Sequence, residues 1–436
     1  MRLSKTAGMG SNVYQTLVAR GFIQQVTDAA AVEAMLTSGP QVIYTGYDPT
    51  GDSLHVGHLV TLMALKHLEA AGHRPIVLLG GGTARVGDPT GKSEMRPLLE
   101  RETLAANVAA LAAQVSRLLD VASGKTVVVN NADWLDELNY IDFLRDVGRH
   151  FSVNRMLAAE AYKQRLERGL AFIEFNYQIL QAYDFLMLRR SHGCRLQLGG
   201  DDQWGNILAG VDLCRRIDAE LVQGLTYPLL TTSSGAKMGK TAAGAVWIDP
   251  DKLRPYDYYQ YWVNVDDADL TRFLKIFTLL PMAEITALED LSGADLNAAK
   301  SILAFESTAI VHGVEVAREV HAAAQGAFGG REIAVHLLPS SLVPRRATAD
   351  TAVIPSTTLT PPQLAQGVSL ADLLVMTQLA SSKSEARRLV SQGAVRLGEA
   401  RADDPQTTVN RDLFAEGALL VRAGKKKVHR VVLAEV

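Results

Sequence analysis

The chain predicts an α/β protein: a mainly parallel sheet with helices on both faces over residues 1–245, a helical domain over 246–330, a linker over 331–366 and a small α+β domain over 367–436. Three observations carry this. Short apolar runs alternate with longer helical patterns up to about residue 245 ("QVIYTGY", "RPIVLLGG", "KTVVVNN" and "CRLQLGG", with "VTLMALKHLEAAG", "RETLAANVAALAAQVSRLL" and "GNILAGVDLCRRI" among them). The strand-like runs read as buried strands. From Pro250 the pattern turns wholly helical, beginning with the aromatic cluster "RPYDYYQYWVNV" and closing with "LNAAKSILAFESTAIVHGVEVAREVHAAA". The Pro, Thr and Ser of "LPSSLVPRRATADTAVIPSTTLTPPQ" then read as a linker. "SLADLLVMTQLASSKSEARRLVSQGAVRLGEA" and "LVRAGKKKVHRVVLAEV" read as two short helices followed by strands with a basic turn.

Composition bounds the function. With 436 residues the chain is long enough for two to four domains. No apolar run approaches the roughly 18 residues that a membrane helix needs. The N-terminus lacks the apolar core of a secretory signal. The two cysteines, Cys194 and Cys214, are too few for a disulfide framework and are not spaced as metal ligands, which points to a reducing, cytoplasmic setting. The net charge is −3, but residues 367–436 carry 11 Lys/Arg against 8 Asp/Glu whereas residues 1–366 carry 33 against 39. A slightly acidic body thus ends in a basic piece.

In "YTGYDPTGDSLHVGHL", a turn through Pro49, Thr50, Gly51 and Asp52 follows a strand, and a helical pattern starts at or just before His58. His55 and His58 therefore sit around a helix N-terminus, where unpaired N–H groups and the helix dipole favour anions. Gly57 between them permits a flat ring or a phosphate to approach the backbone. Zinc is excluded by the spacing, since helical ligands of that type sit at i and i+4 beside a glutamate and no third ligand is present. No metal site is expected.

"GGGTARVGDPTGKS" is not a phosphate-binding P-loop, because Gly87 and Gly91 enclose only three residues and Val86 stands where the first glycine belongs. It is a glycine-rich turn presenting Asp88. "FNYQILQAYDFLML" puts Tyr177, Gln181 and Asp184 at i, i+4 and i+7, one polar face on an apolar helix. An acid on such a helix faces a cavity and has a partner. "QLGGDDQWGN" offers Gly200, Asp201, Asp202 and Gln203 at a sheet edge, where carboxylates receive ribose hydroxyls. "SSGAKMGKTAAGAV" is an aperiodic loop whose Lys237 and Lys240 can meet a polyphosphate.

Together "HVGH" and "KMGKT" resemble the two signatures of class I aminoacyl-tRNA synthetases, and the intervening wording "VGDPTGKS", "FNYQILQAYDF" and "GGDDQWGN" is similar to bacterial-type tyrosyl-tRNA synthetases. The likeness covers nearly the whole chain. It implies a Rossmann-like catalytic domain, a helical anticodon-side domain and a C-terminal RNA-binding domain. It also implies tyrosine, ATP with magnesium carried on it, and tRNA(Tyr) as partners, and a homodimer. By the same resemblance Tyr44 and Asp184 hold the phenol hydroxyl, Asp88, Tyr177 and Gln181 the α-ammonium, and Gln203 lies near the carboxylate. Thr50 and His55 meet the phosphates. His58, Gly57, Thr61, Gly200 and Asp202 lie on the nucleotide and ribose side. Lys92, Arg96, Lys237, Lys240 and Thr241 neutralise departing pyrophosphate.

The chain departs from the pattern at Gly239, where the general signature has serine, at Thr241 in place of its final serine, and at Thr45, where some relatives have cysteine. Tryptophanyl-tRNA synthetase is the nearest rival reading, opposed by Asp184 and the basic terminal module. A synthetase-derived, non-catalytic RNA-binding protein is the other, opposed by the presence of His55, Lys237 and the pocket residues.

Overall fold

The computed structural model describes residues 12–90, 94, 99–158, 162, 166–167, 169–233, 235, 238–241, 244–288, 291–328, 332–346, 354–415, 417–424 and 427–434. The chain divides into two compact units, one of Met1–Lys252 with Thr271–Thr286, the other of Leu253–Leu270 with Ala287–Val436.

The first unit is built on a six-stranded sheet. Its strands are β1 (Gln25–Val26), β2 (Val42–Tyr47), β3 (Arg74–Leu79), β4 (Val127–Asn130), β5 (Leu196–Gly200) and β6 (Gln223–Tyr227), in the spatial order β1-β6-β5-β2-β3-β4. All neighbours are parallel except β1 with β6. The four strands expected from the sequence are present. β6 and the two-residue β1 were not foreseen, because "QGLTY" is short and carries a glycine inside it.

The chain runs outward from β2 to β3 and β4, then returns to the other side of β2 for β5 and β6. Connections therefore leave β2 and β5 in opposite directions and open a crevice at their carboxyl ends, where open α/β sheets bind ligands. Helices α1 (Val56–Ala70) and α3 (Tyr177–His192) contribute residues to it, while α2 (Arg101–Leu118) packs on α1 and α4 (Trp204–Asp218) on α3. Helix α1 starts at Val56, just before His58 as the helical pattern suggested.

Residues 271–286 belong with this unit although the sequence reads them as part of the helical domain. A buried guanidinium supplies the reason: Arg20 donates to the carbonyl oxygens of Lys275 at 2.8 Å and Thr278 at 2.9 Å, satisfying the end of the helix Leu270–Phe277.

The second unit contains the helices Pro255–Val263, Gly293–His312 and Val314–Phe328, packed around Tyr258, Tyr259, Trp262 and Phe305. Its C-terminal part is a five-stranded sheet in the order β12-β11-β14-β15-β9, where β9 is Ser356–Leu359, β11 Val395–Leu397, β12 Ala400–Arg401, β14 Ala418–Ala423 and β15 Lys427–Leu433. Two more strands, β10 (Val368–Ser369) and β13 (Thr408–Val409), pair beside it. Leu370, Leu373, Leu374, Val390, Val395, Val421 and Val431 form its core with Leu359. The stretch expected as linker thus contributes a strand, since β9 pairs in parallel with β15 and Leu359 is wholly buried. Threonine and serine in "STTL" satisfy an edge strand as readily as a loop.

Candidate active site

A cavity of about 540 Å³ opens at the carboxyl ends of β2, β3, β5 and β6. It is lined by Tyr44, Thr50, His55, Gly57, His58, Thr61, Asp88, Tyr177, Gln181, Asp184, Gly200, Asp202 and Gln203, residues spread over 160 positions of sequence. Lys92, Arg96 and Lys237 lie outside the described residues. The backbone of Lys240 and Thr241 forms β7 (Lys240–Thr241), paired with β8 (Gly244–Ala245); their side chains lie outside the described structure.

At one end the two histidines cap α1. The Gly57 N–H donates to Nδ1 of His55 at 3.0 Å, and the His55 N–H donates to Nδ1 of His58 at 3.2 Å. Two of the unsatisfied donors at the helix start are met by these ring nitrogens, contacts worth about 1 kcal/mol apiece. The rings stack with centroids 3.9 Å apart. Because both Nδ1 atoms accept, both rings carry their proton on Nε2. Desolvation, reinforced by His55 alongside, lowers the His58 pKa to about 3, so its ring is neutral at ordinary pH.

Gly57 serves this cap directly. A Cβ there would stand 2.7 Å from Cε1 and 2.9 Å from Nδ1 of His55. The flat ring that the glycine admits is therefore the neighbouring histidine's own.

The lysine loop returns against the same helix start. Val56 N–H donates to Val246 O at 2.9 Å, Ile248 N–H to Leu54 O at 3.1 Å, and Val246 N–H to Gly239 O at 2.8 Å. Gly239 adopts φ +78°, and a Cβ on it would lie 3.1 Å from the Gly57 nitrogen. Glycine replaces the family's serine at a left-handed residue pressed on the helix cap, which suits it on both counts.

At the other end lies a buried acid. Asp184 of α3 is 1% exposed and accepts from Asn131 Nδ2 at 3.0 Å and from Trp134 Nε1 at 2.8 Å. Burial raises its pKa to about 7, against the two donors that lower it. Tyr44 of β2 is equally buried, packs edge-on against Phe185, and its hydroxyl has no hydrogen-bond partner among the described residues. An unpaired buried hydroxyl costs about 1–3 kcal/mol, a cost that a bound ligand removes. Burial and the neighbouring Asp184 carboxylate push the Tyr44 pKa upward, so it remains a phenol.

Between the ends, polar groups interlock. Tyr177 Oη donates to Asp48 Oδ2 at 2.8 Å, Thr83 Oγ1 to Asp48 Oδ1 at 2.8 Å, and Asn131 Nδ2 to Thr83 Oγ1 at 2.9 Å. On the facing side Gln203 Nε2 donates to Asp88 Oδ2 at 2.7 Å, and Asn206 Nδ2 joins Gln203 Oε1 at 3.0 Å to Gln181 Oε1 at 3.1 Å. Asp48, Thr83, Asn131, Trp134 and Asn206 did not stand out in the sequence. Asp48 and the "NNADW" run do carry a signal, polar residues just past the carboxyl end of a strand. Asp201, flanking Asp202, turns away to accept from Gln25 at 2.6 Å and Thr226 at 2.9 Å. Gly200 has no Cβ, which would fall 2.6 Å from Asp202 Oδ1. Thr61 bonds the Tyr47 hydroxyl and the His58 carbonyl.

Among the described residues no group of three His, Cys, Asp or Glu is arranged to hold a metal ion. No described helix is long and apolar enough to cross a membrane.

Comparison with known proteins adds to this geometry. Residues 36–329 match the family of class I tRNA synthetases (W and Y), and residues 349–431 match the SYY-like C-terminal domain of tyrosine–tRNA ligases. The tyrosine–tRNA ligase of Desulfosudis oleivorans is 51% identical over 97% of this chain and 99% of its own. That of Clostridium tetani is 46% identical over 98% and 100%. A C-terminally truncated mitochondrial tyrosyl-tRNA synthetase from Aspergillus nidulans superposes with a TM-score of 0.64 at 32% identity, covering 72% of this chain and 93% of that one.

Proposed function

Because the chain belongs to the class I tRNA synthetases, and within them to the tyrosine–tRNA ligases, we propose that its cavity binds tyrosine and ATP side by side and joins them. The tyrosine carboxylate attacks the α-phosphorus of ATP, forming tyrosyl-adenylate and releasing pyrophosphate. A hydroxyl of the terminal adenosine of tRNA(Tyr) then takes the tyrosyl group and AMP leaves. No protein nucleophile is needed, because the substrate carboxylate already is one; the protein contributes positioning and charge stabilisation.

The observation that carries this reading is the meeting, in one cavity, of a buried phenol and carboxylate, Tyr44 and Asp184, with the histidine-capped start of α1. The substrate's phenol donates to Asp184 and accepts from Tyr44. A substrate lacking that hydroxyl leaves both groups unpaired, which is the basis of rejection of phenylalanine. Asp88, Tyr177 and Gln181 receive the α-ammonium, with Asp48 as the acid behind Tyr177, and Gln203 lies by the carboxylate. Nε2–H donors of His55 and His58, with Thr50, meet the phosphates and ribose, where Thr61, Gly57, Gly200 and Asp202 complete the nucleotide side. Lys92, Arg96, Lys237, Lys240 and Thr241 offset the charge of departing pyrophosphate. Magnesium enters with ATP as part of the substrate.

The C-terminal sheet and its basic residues serve tRNA. The exposed apolar side chains Tyr140, Ile141, Val153 and Phe172 support a homodimer, and the cytoplasm is the setting. ATP–pyrophosphate exchange with each of the twenty amino acids tests the core of the proposal: exchange stimulated by tyrosine alone is expected, and stimulation by tryptophan, or by none, overturns it.

A further inference from the structure

Helix α2 lies outside the cavity, yet its buried face carries two amides, Asn107 and Gln114, among Leu104, Leu111, Val115 and Leu118. Asn107 Nδ2 donates to the Pro49 carbonyl at 2.9 Å, next to Thr50. Gln114 is 2% exposed, and both polar atoms of its side chain are hydrogen-bonded. Its Oε1 accepts the Leu54 N–H at 2.8 Å, and its Nε2 donates to the Asp52 carbonyl at 3.0 Å and to Asp249 Oδ2 at 3.1 Å.

These partners come from two segments far apart in sequence that carry the two halves of the proposed phosphate site. Asp52 and Leu54 lead into His55, while Asp249 follows the strand-like run whose Val246 and Ile248 bond Val56 and Leu54. His55 and Trp247 face each other in that pairing. A second tie, Lys252 Nζ to Asp52 Oδ1 at 2.6 Å, is at the surface and contributes little alone. One buried amide thus braces the register that these backbone bonds set between the histidine turn and the return of the lysine loop.

We infer that Gln114 is a positioning residue for adenylate formation, setting the placement of His55 against the backbone at Gly239 without touching substrate. This rests on the proposed phosphate role of His55. An apolar residue would fill the same space as Leu111 does; a buried amide is retained there at a desolvation cost and in return specifies one geometry. Displacement by about 1 Å of a group aimed at a transition state can lower the rate by roughly two orders of magnitude.

The test is pyrophosphate exchange and tyrosine binding by Gln114→Leu, with Gln114→Glu alone and combined with Asp249→Asn. Gln114→Leu is expected to lower kcat/KM for ATP roughly 10- to 100-fold while the Kd for tyrosine stays unchanged. Gln114→Glu opposes two carboxylates and loses activity; Asp249→Asn restores a donor between them, and part of the activity returns. A merely structural role predicts parallel loss of tyrosine affinity and no recovery in the double variant, and either result overturns the inference, as does wild-type kinetics for Gln114→Leu. If Gln114→Leu fails to fold, the recovery in the Glu/Asn pair decides. Absence of tyrosine-dependent exchange in the unaltered chain counts against the proposed function instead, so the two failures are distinct.

Discussion

Asp184 shows how burial sets the protonation of a side chain that the proposed function places against the substrate phenol. Its carboxyl titrates at about 7 because desolvation outweighs the donors Asn131 and Trp134. The folded-state pKa exceeds the unfolded value, so the folded chain holds a proton that the unfolded chain has lost between about pH 4 and pH 7. This site's contribution to stability therefore declines as pH rises through that window and is level above it. Substrate binding runs the opposite way, since the ionised carboxylate is the stronger acceptor for a phenol. Tyrosine affinity measured by titration from pH 5.5 to 8.5 should fall on the acid side of about pH 7. Replacing Trp134 by Phe removes a pKa-lowering donor, and the inflection should move to higher pH; movement to lower pH contradicts the assignment.

At the scale of the element, α1 begins on an unusual cap. Ser, Thr, Asp and Asn are the ordinary N-cap residues, whereas here two imidazoles share the work and their tautomers are set by backbone donors. Gly57→Ala isolates this arrangement. Alanine is the better helix former by about 1 kcal/mol, so thermal stability should change little, but the new methyl displaces the His55 ring from a 2.7 Å approach. The exchange rate should drop at least about tenfold, a transition-state loss of about 1.4 kcal/mol, with tyrosine affinity retained. Equal loss in both would mean that the methyl disturbs the whole cavity. Gly239 belongs to the same element junction, and its φ of +78° explains why serine is absent there.

For the molecule as a whole, the boundary of the C-terminal module follows from pairing. A cut at Gly367 would leave β9 behind and strip β15 of its parallel neighbour. Residues 332–346 pack through Leu337, Leu338 and Val343, with Ser341 Oγ donating to Glu306 at 2.6 Å, so they belong with the helical domain. Removing residues 347–436 should therefore preserve tyrosine-dependent exchange and dimeric sedimentation while aminoacylation of tRNA falls and loses much of its salt dependence. Parallel loss of exchange and aminoacylation would contradict the separation of activation from RNA binding.

Four of the strands, the helices between them and the positions of Tyr44, His55, Asp88, Tyr177 and Asp184 along the chain were legible in the sequence, because apolar period and turn chemistry are local properties. Tertiary structure alone decided what those residues face. That Asn131 and Trp134 grip Asp184, that Asp48 stands behind Tyr177, and that Gln114 joins Leu54 to Asp249 depend on strand order and on contacts between segments 50 to 135 positions apart. A buried amide on a helix stripe reads in sequence as one polar interruption. Only when the backbone donors and acceptors around it are fixed in space does its hydrogen-bonding demand acquire a direction.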